Sequence, residues 1–184
     1  VSRTATGIHR YTYKDYVQRV DRRAAALAKL GVRPGDRVAS FAWNSYRHFE
    51  IYFAVPCMGA VIHTVNVRLF PDQLVYICNH AEDKVIFVDA SLLPVFEKVR
   101  GQLRTVQHVI VMSDTGQPVD PASGLDYEAL LAEAPPRFDY SVLDERSAAG
   151  MCYTSGTTGN PKAVVYSHRA IVLHTLAVAG ADLF

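Results

Sequence analysis

Blocks of like charge are missing from this chain: 19 Lys and Arg stand against 18 Asp and Glu, giving a formal charge of +1, and the two signs are dispersed. Without a basic stripe to track a phosphate backbone, a nucleic-acid partner is not expected. Cysteine is scarce. Cys57, Cys78 and Cys152 are odd in number, far apart and each set in an apolar run, which argues against a disulfide framework or a zinc site and for reduced core thiols. No charged leader followed by a short apolar stretch and a small-residue cleavage site opens the chain, so a cytoplasmic location is expected. An uninterrupted membrane-length run is lacking too. Residues 51–67 contain no formal charge, but Pro56 and Gly59 break them and His63 and Asn66 are polar, which fits a helix followed by a buried strand rather than a membrane span. An initiating Met is absent, and the helix-like run 170–184 meets no Gly cap or Pro stop, so the chain is expected to be cut at both ends.

What is present suffices for a core. The 184 residues are 49% hydrophobic and 20% charged, ordinary values for a folded globular chain. Residues 11–13 alternate like a short edge strand, and Asp15 is placed to cap a helix with apolar positions Tyr16, Val17, Val20, Ala24, Leu27 and Leu30, ended by Gly31. After the turn pair Pro34-Gly35, a strand is read at 37–42 and a helix from near Ser45 towards Cys57. A second strand follows at 60–65. Then come a helix begun by Pro71 with Leu74, Ile77 and Cys78 inward, a strand at 84–88, a helix at 92–99 and a strand at 108–112. This alternation predicts an α/β fold, a mostly parallel sheet with flanking helices. Residues 113–124 form a loop, and a helix at 125–134 stops at Pro135-Pro136.

The chemistry concentrates between two further strands, 150–153 and 163–166. The nine residues Thr154, Ser155, Gly156, Thr157, Thr158, Gly159, Asn160, Pro161 and Lys162 hold four hydroxyls, two glycines and one cation. Glycines let the backbone turn tightly and approach a ligand, and successive N–H groups then form a concave nest for an anion such as phosphate. The hydroxyls add donors, or ligate a magnesium ion that bridges phosphate oxygens. Lys162 supplies a full charge, worth about 4 kcal/mol at 4 Å from a phosphate at an effective dielectric near 20, before desolvation. The competing reading is a polar hairpin connection with a solvated lysine. A Walker-type loop is excluded, because only two residues separate Gly156 from Gly159, Pro161 precedes the lysine, and strand formers rather than a helix follow.

From Tyr153 to Lys162 the string resembles the signature loop of the adenylate-forming superfamily, which includes acyl-CoA synthetases, luciferases and peptide-synthetase adenylation domains. It departs at Ala163, where the superfamily pattern usually has Gly. The resemblance extends through residues 9–13, 59–66, 68–89 and 164–174, and most resembles the medium- and long-chain fatty-acyl-CoA ligases. It implies that residues 1–184 are a partial N-terminal AMP-binding (adenylation) domain, the N-terminal portion of the large domain of an acyl-CoA synthetase-like fold. It implies ATP, Mg2+ and coenzyme A as cofactors and co-substrates, with a fatty acid as the acid activated. Thr154, Ser155, Gly156, Thr157, Thr158, Gly159 and Lys162 would hold the β- and γ-phosphates, Thr154 would touch magnesium, and Lys162 would act catalytically on departing pyrophosphate. The adenine pocket, an acidic magnesium ligand, a ribose-binding aspartate, the hinge and a C-terminal catalytic lysine would lie in sequence beyond this chain, leaving the fragment alone inactive. A homodimer is left open.

Other polar residues carry less. Ser167 is read as an N-cap with His168 in the first turn, favoured over a nucleotide contact; His168 and His174 are six apart, unsuited to a shared metal. His63, Asn66 and Arg68 end a strand, where ligand-facing groups gather in α/β sheets, though a plain exit from the core is favoured. Trp43, Tyr46, Phe49 and Tyr52 read as packing. Three functions stand: a fatty-acid–CoA ligase, another adenylating enzyme for aryl or amino acids, and a non-catalytic nucleotide-binding or dimerisation module. A partly exposed apolar face is expected for the chain as it stands.

Overall fold

The computed structural model describes residues 1–154 and 159–180. A short antiparallel pair, β1 (Ser2–Thr4) and β2 (Gly7–His9), leads into α1 (Tyr13–Lys29). The cap of α1 is Thr12 rather than Asp15, which sits three residues inside it. The Thr12 hydroxyl accepts from the Asp15 amide while the Asp15 carboxylate accepts from the Thr12 amide, so two orphan donors are satisfied reciprocally. With this start, Tyr13 opens the helix and Tyr11 only leads to its cap, so residues 11–13 form no strand. Val17, expected inward, is half exposed, and Arg23 takes a place in the buried stripe beside Val20, Ala24 and Leu27.

The remaining described strands and α-helices are β3 (Arg37–Phe41), α2 (Tyr46–Cys57), β4 (Val61–Thr64), α3 (Pro71–Ala81), β5 (Asp83–Asp89), α4 (Leu93–Arg100, entered through a 3-10 turn at Ala90–Leu92), β6 (His108–Met112), β7 (Leu125–Asp126), α5 (Tyr127–Glu133), β8 (Ala148–Thr154), β9 (Lys162–Ser167) and α6 (His168–Val178). Residue 125 falls in a strand rather than the expected helix because Asp126 is the cap of α5, its carboxylate accepting from the Ala129 amide at 2.8 Å.

Among the described residues, seven strands form one sheet in the order β7-β6-β5-β3-β4-β8-β9, parallel throughout except for the β8–β9 hairpin. From β3 the chain steps one way to β4 through α2. It then steps back across β3 to β5 through α3, and on to β6 through α4. Right-handed crossovers demand that this reversal change faces. The packing agrees: α1, α2 and α5 cover one face through Leu27, Ile51, Val55 and Leu131, and α3 and α4 cover the other through Leu74, Ile77, Phe96 and Val99. Strand alternation divides the sheet accordingly, with Val85 and Phe87 on the first face and Ile86 and Val88 on the second.

The three thiols do not share one environment. Cys78 is buried as expected, but Cys57 is exposed and Cys152 half-buried, because the last turn of α2 and the end of β8 border an open groove rather than the core.

Candidate functional site

Because β8 runs parallel to β4, and β4 to β3, its last residue Thr154 stands at the carboxyl edge of the sheet. That edge, where successive connections leave towards opposite faces, is where open α/β sheets bind ligands. Across the hairpin Thr154 pairs in register with Lys162, and the Thr154 hydroxyl donates to the Lys162 carbonyl at 3.5 Å. Lys162 is exposed and makes no ion pair among the described residues. Gly159 has φ +155°, a conformation that L side chains rarely adopt, and a Cβ added there would meet nothing within 4 Å among the described residues. Ser155, Gly156, Thr157 and Thr158 lie outside the described residues.

Behind the base of this loop, on the α3 side, Tyr153 reaches back along the sheet. Its hydroxyl shares a hydrogen bond with His80 Nδ1 at 2.7 Å, and its ring lies 5.2 Å from that of His63. His63, a candidate ligand-facing residue in the sequence, is instead fully buried, its Nδ1 2.8 Å from a carboxylate oxygen of Asp83. Burial pushes the Asp83 carboxyl up, opposed by its bond to His63. Asn66 and Arg68 stay at the surface, where the Asn66 side-chain oxygen accepts from the Arg68 amide and shapes the exit of the strand. The structure thus separates His63 from the other two.

On the opposite face, apolar side chains line a groove of about 540 Å³ between α2, the β4–β8–β9 strands and α6, among them Tyr52, Phe53, Ile171 and Val172. His168 borders it and Ser167 caps α6, accepting from the Ala170 amide at 3.1 Å. Of the four aromatic residues read as packing, Tyr46 is buried, whereas Trp43, Phe49 and Tyr52 are each close to half exposed.

A charged network ties α1, α2 and α5 together. Arg19 donates to Glu50 at 2.6 Å and to Glu128 at 3.0 Å, and Arg47 donates to Glu128 at 2.8 Å and also to Asp114. The Tyr127 hydroxyl donates to Glu50 at 2.7 Å, and the Arg23 guanidinium lies 3.3 Å from the centre of the Tyr127 ring. Arg23 and Glu50 are fully buried, and burial pushes the Arg23 pKa down. Periodicity of apolar residues cannot reveal such a network. The available signal was a charge at an apolar phase of the helix, as Arg23 is between Val20 and Leu27.

The sequence matches the AMP-binding enzyme family over residues 2–183. This chain belongs to that family. It is 52% identical over 183 residues to a long-chain-fatty-acid–CoA ligase of Thermus thermophilus, covering 99% of this chain and 32% of the relative. A 3-methylmercaptopropionyl-CoA ligase of Ruegeria pomeroyi is 46% identical across 94% of this chain and 32% of its own length. The crystal structure of ATP-bound MatB from Rhodopseudomonas palustris is similar with a TM-score of 0.78 at 26% identity, covering 96% of this chain and 33% of that one. The chain therefore spans about a third of the length of the curated relatives it matches. The helix-flanked, mostly parallel sheet is that of the N-terminal part of acyl-CoA synthetase-like structures.

In this chain of the AMP-binding enzyme family the structure pairs Thr154 with Lys162 at one edge of the sheet, while His63 is buried against Asp83. Among the described residues no helix is long and apolar enough to cross a membrane.

Proposed function

We propose that this chain supplies the phosphate-binding part of an acid–CoA ligase that activates a fatty acid with ATP and passes the acyl group to coenzyme A. One observation carries the reading. Thr154 and the exposed Lys162 pair at the carboxyl edge of the sheet, and the sequence between them is rich in hydroxyls and glycines.

In the first half-reaction an oxygen of the acid's carboxylate attacks the α-phosphorus of ATP. The bond from that phosphorus to the bridging oxygen breaks, giving acyl-adenylate and pyrophosphate. In the second, the thiol of coenzyme A attacks the acyl carbon, loses its proton and displaces AMP. In this proposal Ser155, Gly156, Thr157, Thr158 and Gly159 hold the β- and γ-phosphates, and Lys162 offsets the charge gathering on departing pyrophosphate. Such catalysis is positioning and electrostatics, so the lysine acts by where its charge is held.

Mg2+ is part of the proposal as the counter-ion of ATP. Its preferred ligands are oxygens, chiefly carboxylates, phosphates and water. The Thr154 hydroxyl fits as one such oxygen, and no group of three or more His, Cys, Asp or Glu among the described residues could hold a metal. Thr154 would therefore share the ion with the nucleotide's phosphates, with water, and with any acidic ligand supplied from outside the described residues. A cytoplasmic setting belongs to the same proposal, and sedimentation of the intact protein would decide between monomer and homodimer.

The fatty acid rests on the 52% identical long-chain ligase, and the 3-methylmercaptopropionyl-CoA ligase makes a short thioether acid the specific competitor. Exchange of labelled pyrophosphate into ATP by the intact protein, over fatty acids of graded length, 3-methylmercaptopropionate, benzoate and several amino acids, tests both. Fatty-acid-dependent exchange supports the reading. Exchange with another acid class moves the substrate, and no exchange with any acid in folded protein removes the activity.

A further inference from the structure

The residue just before the loop is tied to a different layer of the fold. Tyr153 is the penultimate residue of β8, its backbone in register with Ala163, one step from the Thr154–Lys162 pair. Its side chain lies on the α3 side of the sheet, half-buried, with the hydroxyl 2.7 Å from His80 Nδ1 and the two rings edge to face at 5.8 Å. His80 is itself stacked on Tyr76, one turn earlier in α3, with centroids 5.4 Å apart. Beneath, the Tyr153 ring faces His63, which is held by Asp83 at the start of β5. Burial, with Asp83 adding to it, pushes the Tyr153 phenol up to about 12, so the hydroxyl keeps the proton it can donate to the imidazole.

The outer hairpin lacks comparable support. Val164, Val165 and Tyr166 of β9 are exposed, and α6 has no buried residue. Of the residues at the base of the loop, Thr154 and Lys162 are exposed, and the one side-chain hydrogen bond of Thr154 among the described residues is the 3.5 Å bond to the opposite strand. Among the described residues, the last side chain of β8 that is bonded to a helix is thus Tyr153.

We infer that Tyr153 is a positioning residue for ATP. Clamped by His80, it fixes the end of β8 so that Thr154 and Lys162 are presented to the nucleotide's phosphates in one geometry. The inference rests on the proposed phosphate-loop reading. It adds two residues that do not themselves touch ATP and act only through the base of the loop. Without the clamp the ring still packs on His63, but the strand end is free to shift, and the phosphates meet donors that are no longer pre-arranged.

The test is pyrophosphate exchange by the intact protein, fitted for KM of ATP and for the maximal rate, alongside thermal unfolding. Tyr153→Phe keeps the ring and removes the bond; His80→Ala removes it from the other side; His80→Asn keeps a polar atom near the place of Nδ1. A net hydrogen bond of about 0.5–1.5 kcal/mol sets the expected rise in KM for ATP at roughly 2- to 13-fold for Tyr153→Phe and for His80→Ala, with the maximal rate little changed. The double variant should be no worse than either single one, and His80→Asn should stay near wild type. Unchanged KM in the single variants, effects that multiply in the double variant, or His80→Asn as damaging as His80→Ala would each overturn the inference. Should Tyr153→Phe unfold early, the contrast of His80→Asn with His80→Ala carries the decision.

Lys162→Ala separates the two levels. If it keeps wild-type exchange, the phosphate-loop reading fails; if it loses exchange while Tyr153→Phe and His80→Ala do not change KM, only the clamp fails.

Discussion

The two ends of the sheet are built differently. Around β3, β5 and β6, helices cover both faces, and Val38, Ile86, Phe87 and Ile110 are fully buried. At the other end, β9 and α6 expose Val165, Tyr166, Ile171, Val172 and Leu176, so an apolar sequence stands without a matching cover among the described residues. The first region is explained by its own contacts. In the second, composition and surroundings disagree, and it is there that the loop of hydroxyls, glycines and Lys162 is attached. The sequence-based expectation of an exposed apolar face is met in this hairpin and helix.

The contrast is sharpest when a buried charge is removed. Glu50 accepts from Arg19 and Tyr127, and its charge also favours the ionised form of the fully buried Arg23. Glu50→Ala strands these groups and is expected to cost about 3–5 kcal/mol in denaturant unfolding, as for a broken buried ion pair. A cost below 1 kcal/mol, on the scale of an exposed pair, would show that the helical face is not held by this network.

Two leucines compare the regions with one chemical change. Leu27 is fully buried in α1 and Leu176 is 66% exposed in α6. Leu27→Ala should cost about 2–5 kcal/mol through lost contacts and a residual cavity. Leu176→Ala should stay within about 0.5 kcal/mol of wild type, as surface changes do. Equal costs in urea titrations would mean that α6 is covered as well as α1, and the contrast would collapse.

The smallest effect concerns acid. Burial works to raise the Glu128 pKa, but hydrogen bonds and charge from Arg19 and Arg47 hold it below the usual glutamate value. The ionised form is therefore favoured in the folded state. Its contribution is present above the unfolded value of about 4.3 and is lost as pH falls through the lowered folded one. Melting midpoints between roughly pH 6 and 3 should fall more steeply in wild type than in Glu128→Gln. Parallel curves would remove Glu128 from the acid response.

Much of this was legible in the residues. Strand periodicity, Pro71, Ser45 and Ser167 located β6, α2, α3 and the start of α6 closely, because those signals are local. Placement at the ends was less secure. Thr12 won the cap from Asp15 because a capping box needs both residues, three apart, and either alone looks sufficient. His63 looked like a strand-end candidate, since nothing near it in sequence announces Asp83, brought alongside only by the crossover from β4 to β5. Cys57 and Cys152 looked like core because their neighbours are apolar, yet burial depends on what covers a run and not on its composition. The loop proposed to hold phosphate was visible as an ordered string. The Tyr153–His80 contact behind it spans 73 positions and has no sequence signature.

The central claim is that the loop between Thr154 and Lys162 holds the phosphates of ATP. Fatty-acid-dependent pyrophosphate exchange in the intact protein, wild type against Lys162→Ala, tests it most directly. Loss of one preorganised charge should slow exchange by about 10²–10³-fold while the melting midpoint stays put, since Lys162 is exposed. An exchange rate equal to wild type would contradict the claim and take Lys162 out of the mechanism.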